Sequence, residues 1–178
     1  MLPRVIAAAS AVLALTIVPA ATGHAAPSQN DVTVCTWGGT PAAPTGVLTL
    51  SPAITNTPSS GPVSFVATGP LGGGAGCSGT LTFRGTLAAG ESCLVQTPFQ
   101  ADAGGFPPIH RAVSSYGAGG TAPVRLFDAH GNVIGSEQAQ FLTGAINPDD
   151  PGYTDCGNPG GLTTAYWSDT LELFTPSG

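Results

Sequence analysis

The sequence contains no lysine, and its only cations besides histidine are Arg4, Arg84, Arg111 and Arg125, set against ten acidic residues. Phosphate backbones are bound by clustered cations, so a nucleic-acid partner is excluded at this stage. An anionic membrane surface is disfavoured for the same reason. Charged residues of either sign make up only 8 % of the chain, too few for self-repulsion to hold it open. No C-x-x-C pair is present, and His110 and His130 are the only histidines after the first 25 residues; a zinc site is therefore not expected. No run after the N-terminal segment is apolar enough to span a bilayer. Convincing helical patterns are missing too. With 26 glycines and 17 prolines, helices would be costly, at about 1 kcal/mol for each interior glycine and about 3 for each proline.

Residues 1–25 read as a secretory signal peptide. Arg4 precedes an apolar run from Val5 to Val18, followed by Pro19 and small residues up to Ala25. The run is shorter than the roughly 20 residues that cross a membrane, so cleavage after Ala25 is expected rather than anchoring. The remaining chain, 26–178, is expected to form a single secreted β-domain with an ordered core over about 31–175. It keeps ten acids against three arginines. Four cysteines, Cys35, Cys77, Cys93 and Cys156, are an even number in an oxidising compartment and predict two disulfides. A hairpin turn at Ala88–Glu91 would leave Cys77 and Cys93 far out of register, which argues against joining them. Cys35–Cys93 with Cys77–Cys156 is the preferred pairing at this stage.

Apolar residues alternate with small or β-branched polar ones along most of the mature chain, and Gly, Pro and Asn punctuate the pattern. Strands are predicted over Val32–Trp37, Gly46–Leu50, Pro62–Thr68, Ser78–Leu87, Glu91–Gln100, His110–Tyr116, Pro123–Asp128, Asn132–Leu142 and Thr163–Phe174. Asp128 to Asn132 should turn a hairpin, with Asp128 bonding the turn backbone and Gly131 at positive φ. Eight to nine short antiparallel strands with turns between them describe an all-β sandwich or barrel braced by disulfides.

No set of residues in this sequence assembles into a recognisable catalytic motif. A G-x-S-x-G elbow is absent, and His130 falls in a loop tip. Glu91, Glu137, Glu172 and the aspartates could furnish a carboxylate pair of the glycosidase kind, but alternation alone assigns them to solvated strand faces. The segment from Asn147 to Asn158 gathers Asn147, Asp149, Asp150, Asp155 and Asn158. Pro151 and the missing closing Glu break calcium-loop spacing, so turns are expected there and neither metal nor cofactor. Trp37, Tyr153, Tyr166 and Trp167 are the candidate ligand-binding aromatics, weighed against core packing. Tyr166 and Trp167 are adjacent on one strand, so they must point to opposite faces.

The segments Cys35-Thr-Trp-Gly-Gly39, Gly76-Cys-Ser-Gly-Thr-Leu-Thr-Phe83, Asp128-Ala-His-Gly-Asn-Val-Ile-Gly-Ser136 and Trp167-Ser-Asp-Thr-Leu-Glu-Leu-Phe174 are similar in style to small secreted all-β proteins of actinobacteria. That resemblance transfers no catalytic residue. The expected function is a noncatalytic extracellular β-domain that binds an unknown ligand or protein, or acts at the cell envelope. The alternatives are a hydrolase with paired carboxylates and a small barrel enclosing an apolar ligand.

Overall fold

The structure is a computed structural model, and it describes residues 32–115, 124–137 and 155–174. It comprises twelve strands: β1 (Val32–Trp37), β2 (Gly39–Thr40), β3 (Ala43–Pro44), β4 (Gly46–Ile54), β5 (Val63–Gly73), β6 (Thr80–Leu87), β7 (Phe99–Gly104), β8 (Arg111–Ser114), β9 (Val124–Phe127), β10 (Val133–Glu137), β11 (Leu162–Trp167) and β12 (Asp169–Phe174). Among the described residues the only helical turn is the short 3₁₀ segment Asp155–Gly157.

Ten strands form one antiparallel sheet in the order β1-β12-β10-β9-β8-β7-β6-β5-β4-β11, and β1 also pairs with β5. That extra pairing closes an eight-strand ring, which decides for a barrel over a sandwich. The long strand β5 makes closure possible. Its first half, Ser64–Thr68, pairs with Ser51–Val47 of β4, and its end, Leu71–Gly73, pairs with Trp37–Cys35 of β1. Strands β1 and β4 thus lie in line along β5. Strands β12 and β11 lie in line against them, and only Ser168 separates those two. The β2–β3 ribbon fills the break between β1 and β4.

Alternation places one face of each strand inside. Trp37, Phe83, Leu81, Leu126 and Leu171 are all at most 1 % exposed. The Trp37 ring centroid lies 3.9 Å from that of Trp167 and 5.1 Å from that of Phe83, both edge-on. Its indole N–H donates to the Leu81 carbonyl at 3.1 Å, which satisfies the one polar atom buried with that ring. Gly46 makes room for this cluster, because a Cβ there would stand 2.7 Å from the Trp167 ring. An eight-strand barrel is just wide enough for side chains to fill it.

Most expected strands coincide with observed ones. Residues 91–98 do not: they form a loop, and the strand starts at Phe99. The reason lies in Glu91, whose carboxylate accepts the Thr97 backbone N–H at 2.7 Å and the Thr97 hydroxyl at 2.8 Å. A side chain there takes over a backbone donor that a ladder would otherwise use. The expected Asp128–Asn132 turn is observed. Asp128 accepts the N–H groups of His130 and Asn132, each at 2.8 Å, and Gly131 has φ +83°. The part of Asn132–Leu142 beyond Glu137 lies outside the described residues.

The cysteines form two disulfides, Cys35–Cys77 and Cys93–Cys156, which corrects the preferred Cys35–Cys93 and Cys77–Cys156 pairing. Barrel closure is the cause of the first bridge. Cys35 stands opposite Gly73 at the end of β5, so the loop leaving β5 brings Cys77 within a Cα separation of 5.5 Å. Cys93 sits in the 88–98 loop and donates its N–H to the Thr55 carbonyl. Cys156 accompanies that same chain segment, its carbonyl accepting the Asn56 N–H.

Candidate functional site

The four candidate aromatics separate clearly. Trp37 is fully buried and Trp167 is 2 % exposed, so both belong to the core and cannot form a ligand face. Tyr166 points outward and is 47 % exposed, as the strand alternation requires. Tyr153 lies outside the described residues.

The expected carboxylates also separate. Glu172 is exposed on the outer face of β12. Glu91 is buried within the 88–98 loop, where desolvation raises its pKa and the two Thr97 bonds partly offset that rise. Its role is to hold the loop, together with the Gly90 and Ser59 N–H groups, which donate to the carbonyls of Ser59 and Glu91. Glu137 is 1 % exposed and stands opposite Leu171 of β12, two residues along from Asp169. The alternation that sequence reading assigned to a solvated face therefore turns Glu137 inward.

Glu137 and Asp169 form a carboxyl pair. Neither Glu137 oxygen meets an N–H or O–H donor among the described residues. Its neighbour is the Asp169 carboxyl, and two buried carboxyls can sit side by side at little cost only when one holds a proton. Asp169 accepts the Thr170 N–H at 2.6 Å, so it is the better place for the negative charge, and Glu137 keeps the proton. Burial, then the neighbouring Asp169 charge, pushes Glu137 well above the usual carboxylate range. Burial also pushes Asp169 up to about 6.

Depressions lie elsewhere on the barrel. At the end where the β5–β6, β7–β8 and β9–β10 turns gather, an open groove of about 420 Å³ is lined by Phe106, Pro108, Ile134, Leu173 and Phe174, with Asp128 and Thr33 at its rim. Phe106 and Cys77 form its buried floor, and the Cys35–Cys77 bridge ties that floor to β1. Asp128 is committed to its own turn, and the Asn132 side chain and backbone bonds hold its pKa below the usual value. On the outer wall, Arg84, Thr86, Gln100, Asp102 and Arg111 line a polar depression of about 450 Å³. The space among Leu48, Leu50, Ile54, Phe65 and Leu87 is about 20 Å³, room for about one water.

No group of three or more metal-ligating side chains occurs among the described residues. Asp155 and Asn158 make a turn, the Asn158 side-chain amide donating to the Asp155 carboxylate at 3.0 Å; Asn147, Asp149 and Asp150 lie outside the described residues. Melting is accordingly expected to be the same in millimolar calcium as in excess chelator. A calcium ion at a hundredfold excess over Kd would stabilise the fold by about 2.7 kcal/mol. A rise of several degrees with calcium, lost in Asp155→Ala, would refute the expectation.

Sequence reading did not find the end groove, because its lining comes from three turns and two strand ends that only barrel closure brings together. The chain matches no protein-family model, no curated protein and no solved structure, so its own residues carry the functional argument.

Proposed function

We propose that this protein is a secreted, noncatalytic β-barrel domain that binds the apolar body of an extracellular ligand in the groove at the end of the barrel. The groove itself is the observation that carries this reading. Its volume of about 420 Å³ falls in the range of small-ligand sites, and its lining is largely apolar on a disulfide-tied floor. The N-terminal signal pattern and the two disulfides support an extracellular setting. Among the described residues, no helix is long and apolar enough to cross a membrane.

The filled interior speaks against an enclosed ligand. The Glu137–Asp169 pair is the arrangement among the described residues that comes nearest to a hydrolase site. Glycosidase carboxyls flank an open substrate site, whereas Glu137 is 1 % exposed and sits inside the barrel, out of reach of a substrate.

Titration with the neutral fluorophore N-phenyl-1-naphthylamine tests the reading. Saturable one-to-one binding is expected, weakened at least about tenfold by Phe174→Glu or Ile134→Glu, since each buries a charge where an apolar contact stood. Absence of saturable binding, or binding indifferent to both variants, would remove the groove as the site.

A further inference from the structure

All three arginines among the described residues project from the outer wall over β6–β9. Arg84 of β6 pairs with Asp102 of β7, which pairs with Arg111 of β8; Arg111 in turn pairs with Phe127 of β9, over whose ring its guanidinium lies 4.7 Å from the centroid. Arg125 stands opposite Val113, one outward position along β9 from Phe127. Arg84 and Arg111 are thus two strands apart, about 10 Å, with Arg125 diagonal to Arg111. The one ion pair among the described residues is His130 with Asp128, so none of the three guanidiniums makes a direct ion pair there, although Asp102 stands opposite both Arg84 and Arg111. Glu172 stands two strands from Arg125 across Ser136, and Thr86 and Gln100 supply neutral hydrogen-bonding groups beside Asp102.

This concentration is not a by-product of a basic protein, since the chain carries a formal charge of −6. Repulsion from the remaining acids is screened beyond about 10 Å at ordinary salt, while a ligand seated on the wall meets the guanidiniums directly. Arginine forks bind carboxylates in two-pronged fashion.

We propose that this wall binds an acidic oligosaccharide, an extended chain of uronic acid units whose carboxylates bridge Arg84, Arg111 and Arg125 and whose hydroxyls meet Thr86 and Gln100. The site is separate from the end groove and does not depend on it. A single-stranded nucleic acid fits less well, because three cations are few for a phosphate chain and Phe127, the aromatic ring in these rows, is covered by Arg111.

Calorimetric titration of the mature protein with oligogalacturonate tests the proposal. Binding is expected in about 20 mM salt and should weaken at least about fivefold in about 200 mM salt. Arg84→Gln and Arg125→Gln should each weaken it about tenfold, and Asp102→Asn should strengthen it a few fold by removing the acid between Arg84 and Arg111. These residues are exposed, so melting temperatures should stay within about 1 °C of the parent. No binding at low salt, binding insensitive to both arginine variants, or equal affinity for an oligothymidylate of matched length would overturn the proposal.

Discussion

Loss of the Cys35–Cys77 bridge, in a Cys35→Ala/Cys77→Ala double variant, is expected to cost about 4 kcal/mol of stability. The bridge spans 42 residues, and loop-closure entropy for that length gives about this value in the chain-entropy account. Position adds to the effect. The ring closes through β1, whose pairing with β5 extends over only three residue pairs, Cys35–Gly73 to Trp37–Leu71. Without the covalent tie, that short ladder must close the seam between β1 and β5 by itself. Domains of this size are stable by only about 5–15 kcal/mol, so the variant should melt roughly 8–16 °C below the parent at about 2–4 °C per kcal/mol. Differential scanning calorimetry gives the shift, and a drop of under about 2 °C would contradict the role assigned to the bridge. Peptide mapping without reduction should recover Cys35 linked to Cys77 and Cys93 linked to Cys156.

Stability should fall, not rise, as the pH is raised from about 4 to 8. Both members of the Glu137–Asp169 pair have folded-state pKa values above their ordinary values of 4.5 and 3.8. The folded state therefore binds more protons than the unfolded chain over the interval between those values. The pair's contribution is fully present below about pH 4 and is lost as pH rises through about 6, the value for Asp169. Glu137, raised well above the carboxylate range, extends the loss beyond that. Asp169 is partly exposed, so its share is on the order of 2 kcal/mol rather than the full conversion of its shift. Glu91, also raised, acts with the same sign; Asp128, lowered and on the surface, acts weakly with the opposite one. Glu137→Gln keeps a donor for the Asp169 carboxylate and removes the second charge. The variant should be more stable than the parent at pH 8 and should lose much of the slope. Urea melts at half-unit pH steps would measure this, and parent stability that climbs between pH 5 and 8 would rule it out.

The local patterns carried a good part of this structure. Alternation in Val32–Trp37 and Thr80–Leu87 and the Asp128–Gly131 turn chemistry are set by neighbours within a few residues, and all appear where the sequence places them. The same is true of Tyr166 and Trp167 facing opposite ways, while the fold decided that Trp167 is the one facing in. What failed depended mostly on contacts between residues distant in the chain. Residues 91–98 have strand-like composition, yet the Glu91 carboxylate and the bridge from Cys93 to Cys156, 63 residues away, hold them as a loop.

The Cys35–Cys77 bridge and the Glu137–Asp169 pair likewise follow from ring closure, the meeting of β1 with the end of β5 and of β12 with β10, while Cys93 meets Cys156 beside the segment that follows β4. Composition and short-range order thus determined an acidic, helix-poor, strand-built chain with two disulfides. Tertiary contacts alone decided which cysteines meet, which carboxyls are forced to share a proton, and where the turns converge to leave a groove. Strand periodicity specifies which side of a strand is buried; only the register across the closing seam specifies what it is buried against.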